Sequence, residues 1–383
     1  MDSPKEEAVE TLNASKREIM MSLIKQIKVG GEVVHMVLPC FLLQPRSTLE
    51  SFTDMFSCLD ELFKVNEIND SQQRFLQFIK FYLSGWHTRP MGIKKPFNPV
   101  IGEVFEGFWD KSSVPISNSN NNSEMEDITV FEAEQISHHP PLSAYCLYNK
   151  ARGIVVNGNV TPAYVKYLGN SAESHLQGVL SFNFFNVGER FTATLPTIGV
   201  KGIILGKLSP FTCGKAIVEN DRFKCELEFL YKGLLGRTKN INGIKGEIYD
   251  QGKLIYKLKG NWDKKVYLVK PDDTETLLLD VSTLKPYHIG TKPIEEQPPN
   301  SSYHMWQKVT ENILANNDRE TAAEKQKIEE KQRIEEAERK KTGKKWVPTK
   351  FIHRPMSQKY PDTYMYKELD NLFPNQYSSK ATQ

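Results

Sequence analysis

Three clusters of residues have types and spacings suited to chemistry, and in each that chemistry is recognition of an anion. The first is Lys94-Lys95-Pro96-Phe97-Asn98-Pro99, running on into Val100-Ile101-Gly102-Glu103. Two prolines around an asparagine stiffen the backbone and keep it out of helix, so a lysine ammonium is presented from a nearly fixed frame. A rigid surface turn with solvated lysines reads the same way. The second is Glu134-Gln135-Ile136-Ser137-His138-His139-Pro140-Pro141. In a regular strand the two imidazoles would point to opposite faces, but the paired prolines interrupt the ladder and let both reach one ligand near a strand end. Two adjacent histidines without further ligands at zinc spacing make a poor metal site, which leaves phosphate binding or a pair of satisfied turn residues. The third is Lys325, Glu329 and Arg333, spaced four apart and so aligned along one side of a helix. An intrahelical salt-bridge ladder accounts for that stripe equally well.

The patterns of common enzymes are missing. There is no nucleophile elbow, no His-Glu-x-x-His, no phosphate loop, no dinucleotide-binding glycine string and no EF-hand loop. The expectation is a binding protein rather than an enzyme, with neither metal nor cofactor. Lys plus Arg number 50 against 47 Asp plus Glu, and a net charge of +3 is too small for a bulk nucleic-acid binder, so any anionic partner is met locally. The five cysteines form no Cys-x-x-Cys pair and are odd in number, which argues against a disulfide framework and suits a reducing compartment. No run approaches the roughly 20 apolar residues of a membrane span, and the polar start lacks a signal peptide's apolar segment, so a cytoplasmic chain is expected.

The elements that must position these clusters follow from periodicity. Leu12, Ile19, Met20, Leu23, Ile24 and Ile27 lie on one side of a helix that also carries Lys16, Arg17, Lys25 and Lys28. Gly30-Gly31 ends it, and the nearly all-apolar run from Val33 to Leu43 follows. Helical spacing returns from about Leu49 to Leu83. Beyond Pro99 come short β-rich runs separated by Gly, Asn and Pro, namely Val130 to Ala133, Ala144 to Tyr148, Ile154 to Val156, Val179 to Phe185, Phe191 to Leu195, Val200 to Leu205, Lys224 to Tyr231, Lys245 to Tyr249, Lys253 to Leu258 and Val266 to Val269, with connections too short for the crossovers of a parallel sheet. An antiparallel meander is predicted, and curling into a barrel would remove its open edges and could enclose a cavity. Ser117 to Ser123 reads as a polar loop insertion. After Pro298-Pro299 the pattern is helical again through Trp306, Val309 and Ile313, and Asp318 to Lys345 holds eight acidic and ten basic side chains, the composition of a solvated helix.

Taken together, these segments resemble the oxysterol-binding protein-related family of lipid-transfer proteins. The string from Glu134 to Pro141 is similar to that family's signature. Leu38-Pro39-Cys40-Phe41, Lys94 to Glu103, Gly260-Asn261-Trp262, Glu295-Glu296-Gln297 and the Glu-Glu-x-Gln-Arg tract at Glu329 to Arg333 follow in the family's order. The resemblance covers roughly residues 29–351 and implies a mainly β fold with flanking helices, a large incomplete antiparallel β-barrel enclosing a lipid tunnel. It divides the single lipid-binding domain into an N-terminal helix and lid (1–43), a helical region (44–99), the barrel (100–290) and a helical, charged C-terminal region (291–383).

By that resemblance Lys95, Asn98, His138, His139, Lys325, Glu329 and Arg333 are expected to hold the headgroup of phosphatidylinositol 4-phosphate, and Leu38 and Phe41 of the lid to touch its acyl chains. The implied activity is exchange of that lipid for a second one at membranes or membrane contact sites. Tyr82 to His87 and Leu168 to Ser171 resemble the subgroup that exchanges phosphatidylserine, while sterol is the cargo of the alternative reading; a lipid sensor or adaptor is a further one. Pro162 to Ser171 departs from that subgroup by about a residue, so the contacts of a second headgroup do not carry over. The partners implied are membrane lipids and anionic membrane surfaces, which the basic face of the first helix suits; a protein partner at contact sites stays unassigned.

Overall fold

The computed structural model describes residues 42–88, 94–110, 127–167, 171–202, 209–231, 242–354 and 363–377. The expected lid with Leu38 and Phe41, and the run Ser117–Ser123, lie outside the described residues. A large antiparallel sheet dominates, with helices before and after it. Its strands are β3 (Val104–Trp109), β4 (Thr129–His138), β5 (Pro141–Asn149), β6 (Ile154–Tyr167), β7 (Ser171–Gln177), β8 (Val179–Phe184), β9 (Glu189–Thr194), β10 (Thr197–Lys201), β11 (Ser209–Glu219), β12 (Phe223–Leu230), β13 (Gly243–Asp250), β14 (Lys253–Asn261), β15 (Lys265–Val269) and β16 (Glu275–Asp280). Two short strands outside it, β1 (Leu43–Ser47) and β2 (Lys95–Phe97), pair in parallel.

The apparent branching of this sheet is a simple meander. Strand β6 pairs with β8 along its first half and with β7 along its second, in a nearly constant register. β7 and β8 are therefore one strand broken at Gly178, whose φ is +153° and where a Cβ would lie 2.1 Å from the Asn159 carbonyl oxygen. β9 and β10 continue one another in the same way across Leu195-Pro196, pairing with β8 and β7. With those two breaks healed, every neighbour in the sheet is also the neighbour in sequence, as short turns dictate. The outermost strands, β3 and β16, do not pair with each other, so the barrel is incomplete. Part of the open β3 edge is covered by Gly290, which exchanges two backbone hydrogen bonds of 2.8 and 2.9 Å with Phe108.

Before the barrel come two helices, α1 (Leu59–Glu67) and α2 (Ser71–Thr88). In α2 Phe75, Leu76, Phe78, Ile79, Phe81, Tyr82, Leu83 and Trp86 are all buried. A helix apolar nearly all round has to be surrounded, and α2 is. Phe78 stacks on Phe191 of β9 at 4.5 Å and meets Phe182 of β8 edge-on at 4.8 Å. Phe75 stacks on Phe223 of β12 at 5.2 Å, and Trp86 meets Phe229 of β12 at 5.8 Å. One helix thus bridges strands from separate parts of the sheet and anchors its curvature, each fully buried ring adding about 2–3 kcal/mol of transfer free energy.

After the barrel come α3 (Ser302–Leu314) and α4 (Asp318–Thr342), then the hairpin of β17 (Phe351–Arg354) and β18 (Thr363–Tyr366). Helix α3 is capped by Ser301 and buries Trp306, Val309 and Ile313 against Leu43, Phe97 and Val100. Phe351, Leu369 and Phe373 of the C-terminal segment pack on the other face of β4–β6, against Ile136, Ala144, Cys146 and Val155. Among the described residues no helix is long and apolar enough to cross a membrane, a statement that does not bear on strands.

Candidate functional site

The proline-stiffened lysine segment is held from beneath. Phe97 of β2 stacks on Trp306 at 4.6 Å, and its carbonyl accepts from the Thr48 hydroxyl at 2.8 Å. Glu103 is fully buried and accepts from Ser47 Oγ (2.5 Å), Ser302 Oγ (2.7 Å), Trp306 Nε1 (2.8 Å) and the Val100 N–H (3.1 Å). Burial pushes its carboxyl upward, and those four donors pull the other way. A single side chain thereby ties β1, the turn before β3 and helix α3 together. Gly102 in that turn has φ +75°, which favours glycine, and a Cβ there would sit 2.4 Å from the Trp346 ring.

The histidine pair is aimed by an irregularity in β4. Pairing with β5 shifts register between Gln135 and Ser137. Gln135 bridges the distortion, its Nε2 donating to the Ser137 carbonyl at 2.6 Å and its Oε1 accepting from Ser143 Oγ at 2.6 Å. His138, at the end of the strand, sets Nδ1 3.0 Å from the Pro99 carbonyl. A carbonyl can only accept, so Nδ1 carries the hydrogen and Nε2 is left for a ligand. The rings of His138 and His139 meet edge to face at 4.7 Å, with His139 the more exposed. Burial lowers the pKa of His138; the Pro99 carbonyl opposes that, His139 adds to it, and Glu336 and Glu329 oppose it. The two carboxylates place α4 beside the imidazoles.

Helix α4 starts at the Asn317 cap and stops at Gly343 in the left-handed conformation. Its inner side carries the buried Thr321 and Gln332, and Gln332 Oε1 accepts from the Ile101 N–H at 3.0 Å. Lys325 is ion-paired with Glu329. The Lys95 ammonium is pushed below its ordinary pKa first by burial and then by Lys325, with Glu329 opposing. Its side chain is reachable by water, while the protein packed around the ammonium disfavours its charge.

The structure therefore brings Lys95, His138, Lys325 and Glu329 into one electrostatic group, with His139 against His138. Asn98 is exposed one residue before Pro99. Arg333 lies a turn beyond Glu329, and its guanidinium is engaged by Glu330 at 2.5 Å instead. Sequence reasoning missed Glu336, one further turn along the stripe, and the anchoring roles of Glu103 and Gln332. The glutamate closing the Lys94–Glu103 motif was the available signal for one of them. Two cations and two imidazoles grouped together are suited to a multiply charged anion with several acceptor oxygens. Among the described residues no three His, Cys, Asp or Glu side chains are grouped to hold a metal ion.

A curled antiparallel meander around an apolar helix, with Lys95, Lys325 and two histidines grouped beside α4, defines a mainly β domain. The sequence model described as Oxysterol-binding protein matches residues 22–317, and the chain belongs to that family of lipid-binding and lipid-transfer domains. It is 57% identical over 390 residues to Oxysterol-binding protein 12 of Dictyostelium discoideum, covering 95% of this chain and 96% of that one. Its fold is similar to the Osh1 ORD domain solved with cholesterol, at a TM-score of 0.70 and 21% identity, over 91% of this chain and 86% of that one. It is likewise similar to the Osh3 ORD of Saccharomyces cerevisiae solved with PI(4)P, at a TM-score of 0.65 and 21% identity, over 91% and 90%.

Proposed function

We propose that the chain extracts phosphatidylinositol 4-phosphate from membranes and exchanges it for a second lipid, working in the cytoplasm as a peripheral protein at membranes or membrane contact sites. The observation that carries this reading is the grouping of Lys95 with Lys325, close enough for Lys325 to disfavour the charge on Lys95, beside two imidazoles. Such a group is incomplete without an anion. A phosphomonoester supplies about two charges and several acceptors. Lys95, Asn98, His138, His139, Lys325 and Arg333 would donate to the headgroup, and Glu329 would accept from an inositol hydroxyl or orient Lys325. That the Osh3 ORD was solved with PI(4)P and the Osh1 ORD with cholesterol supports a phosphoinositide and leaves sterol as one counter-cargo. Phosphatidylserine is the counter-cargo we favour, from the resemblance of Tyr82 to His87 and Leu168 to Ser171; Leu168 to Asn170 lie outside the described residues.

The test is transfer between donor and acceptor vesicles. Wild type is expected to move labelled phosphatidylinositol 4-phosphate, and a His138→Ala, His139→Ala variant with an unchanged thermal midpoint is expected not to. Equal transfer by both would remove the site assignment. Tight retention with slow transfer would instead favour a sensor or adaptor. Competition by phosphatidylserine, and none by sterol, is the outcome expected for the second cargo.

A further inference from the structure

The pairing of β3 with β4 brings the backbones of two buried glutamates together, with their carboxylates turned to opposite faces. Glu134 is the cross-strand partner of Val104, and the Gln135 N–H donates to the Glu103 carbonyl at 2.9 Å. Both side chains are fully buried, and the donors to each are hydroxyls, peptide N–H groups and an indole rather than side-chain cations. Their clients lie on opposite sides of α4 in the sequence. Glu103 holds α3, just before it. Glu134 accepts from the N–H groups of Thr349 and Lys350, both at 2.8 Å, and from the Thr349 hydroxyl at 3.2 Å, just after it.

Two more contacts lie between those clamps. Gln332 takes the Ile101 N–H, and Trp346, with Arg339 over its ring at 5.8 Å, fills the space where Gly102 lacks a Cβ. Only residues 344–348 separate Gly343, which ends α4, from Thr349. At roughly 3.5 Å per residue such a strap reaches at most about 20 Å, short enough to couple a shift at Thr349 to the end of the helix. The corner that takes these clamps also carries Lys95 and His138, while the helix carries Lys325 and Glu329. A buried carboxylate is a costly way to fasten a loop, since apolar contact would hold it with less desolvation; what the carboxylate adds is a defined register.

We infer that Glu134 is a positioning residue for headgroup capture: by gripping the peptide N–H groups of Thr349 and Lys350 it sets where the Lys325–Glu329 stripe of α4 stands over His138. This rests on the headgroup reading proposed above. In a Glu134→Gln variant the amide nitrogen must face one of the two N–H donors, so one bond is lost and the strap loosens.

The test uses the full chain and phosphatidylcholine vesicles carrying phosphatidylinositol 4-phosphate, with wild type, Glu134→Gln, Lys325→Met and the double variant. Glu134→Gln is expected to weaken extraction about tenfold, and the double variant to lose distinctly less than the product of the single losses, because a misplaced Lys325 has little left to lose. Unchanged extraction, or losses that simply multiply, would overturn the inference. If Glu134→Gln fails to fold, Thr349→Val, which removes only the hydroxyl donor, is expected to lose two- to threefold with the same non-additivity; no loss would overturn it. Spin labels at positions 331 and 150 give a readout on the empty protein. Their distance distribution is expected to shift or broaden with Glu134→Gln, and an unchanged distribution would overturn the positioning role. Wild type that extracts nothing while the distribution still shifts would sink the headgroup reading and leave the clamp.

Discussion

Replacing Lys95 by Met should change stability and ligand binding in opposite directions. The side chain keeps its length and loses its charge. In the empty protein that charge is disfavoured by burial and by Lys325, and the nearby carboxylate, Glu329, is already paired with Lys325. Removing one of two like charges in a partly solvated site is worth at most about 1 kcal/mol, so the empty variant should be as stable as wild type or slightly more so. For a chain of this size that is an increase of about 2 °C or less in thermal midpoint. With a phosphomonoester bound, the same ammonium would donate a charge-assisted hydrogen bond worth about 1.5–3 kcal/mol, so affinity should fall roughly ten- to hundredfold. Urea unfolding of the empty protein and extraction from vesicles read the two quantities separately. A variant destabilised by more than about 1 kcal/mol, or one extracting phosphoinositide as wild type does, would refute the reasoning, because Lys95 would then be a structural cation.

Further predictions follow from the same geometry. His138 has a lowered pKa, so between that value and the ordinary one near 6.5 the unfolded chain binds more protons than the folded one. Its contribution to stability is therefore complete above about pH 6.5 and declines as the pH falls below that. Urea unfolding at pH 7.5 and 5.5 should show wild type losing more than His138→Gln, and equal losses would contradict the assignment. Glu103→Ala strands four buried donors and should cost about 3–5 kcal/mol by chemical denaturation, where a cost under 1 kcal/mol would show the network to be dispensable. Phe78→Ala empties the contact of α2 with Phe182 and Phe191 and should cost about 3–5 kcal/mol, while an effect below 1 kcal/mol would mean that the helix does not anchor the sheet.

The meander was legible because alternating apolar residues and short turns are local signals. Nine of the expected runs, beginning at Val130, Ala144, Ile154, Val179, Phe191, Lys224, Lys245, Lys253 and Val266, coincide with strands, while the run from Val200 to Leu205 starts at the end of β10 and continues outside the described residues. Several of the strands that the pattern leaves out owe their stability to pairing distant in sequence. Ser171–Gln177 is polar and only half-buried, and it is a strand because β6 and β10 pair with it on either side. Ser209–Glu219 carries Pro210 and Gly214, both poor strand formers, and Val104–Trp109 begins directly after a motif that reads as a turn. At the site, the residue types of the three clusters are legible in spacing and composition, whereas their convergence is implied by the family resemblance alone. That convergence depends on the bulge at Gln135–Ser137 and on the docking of α4 over Ile101, both set by contacts distant in sequence. The i,i+4 stripe correctly suggested Lys325 paired with Glu329, whereas Arg333 turns to Glu330, which spacing alone did not distinguish from Glu329.

The most direct measurement is native mass spectrometry of the protein after incubation with vesicles that offer phosphatidylinositol 4-phosphate, phosphatidylserine and sterol together. One bound phosphoinositide per chain is predicted for wild type, lost on combined replacement of His138 and His139 by Ala while the folded charge-state envelope is kept. A chain that emerges empty, or whose phosphoinositide survives loss of both imidazoles, would contradict the convergence of lysine, histidine and helix on a single anionic headgroup.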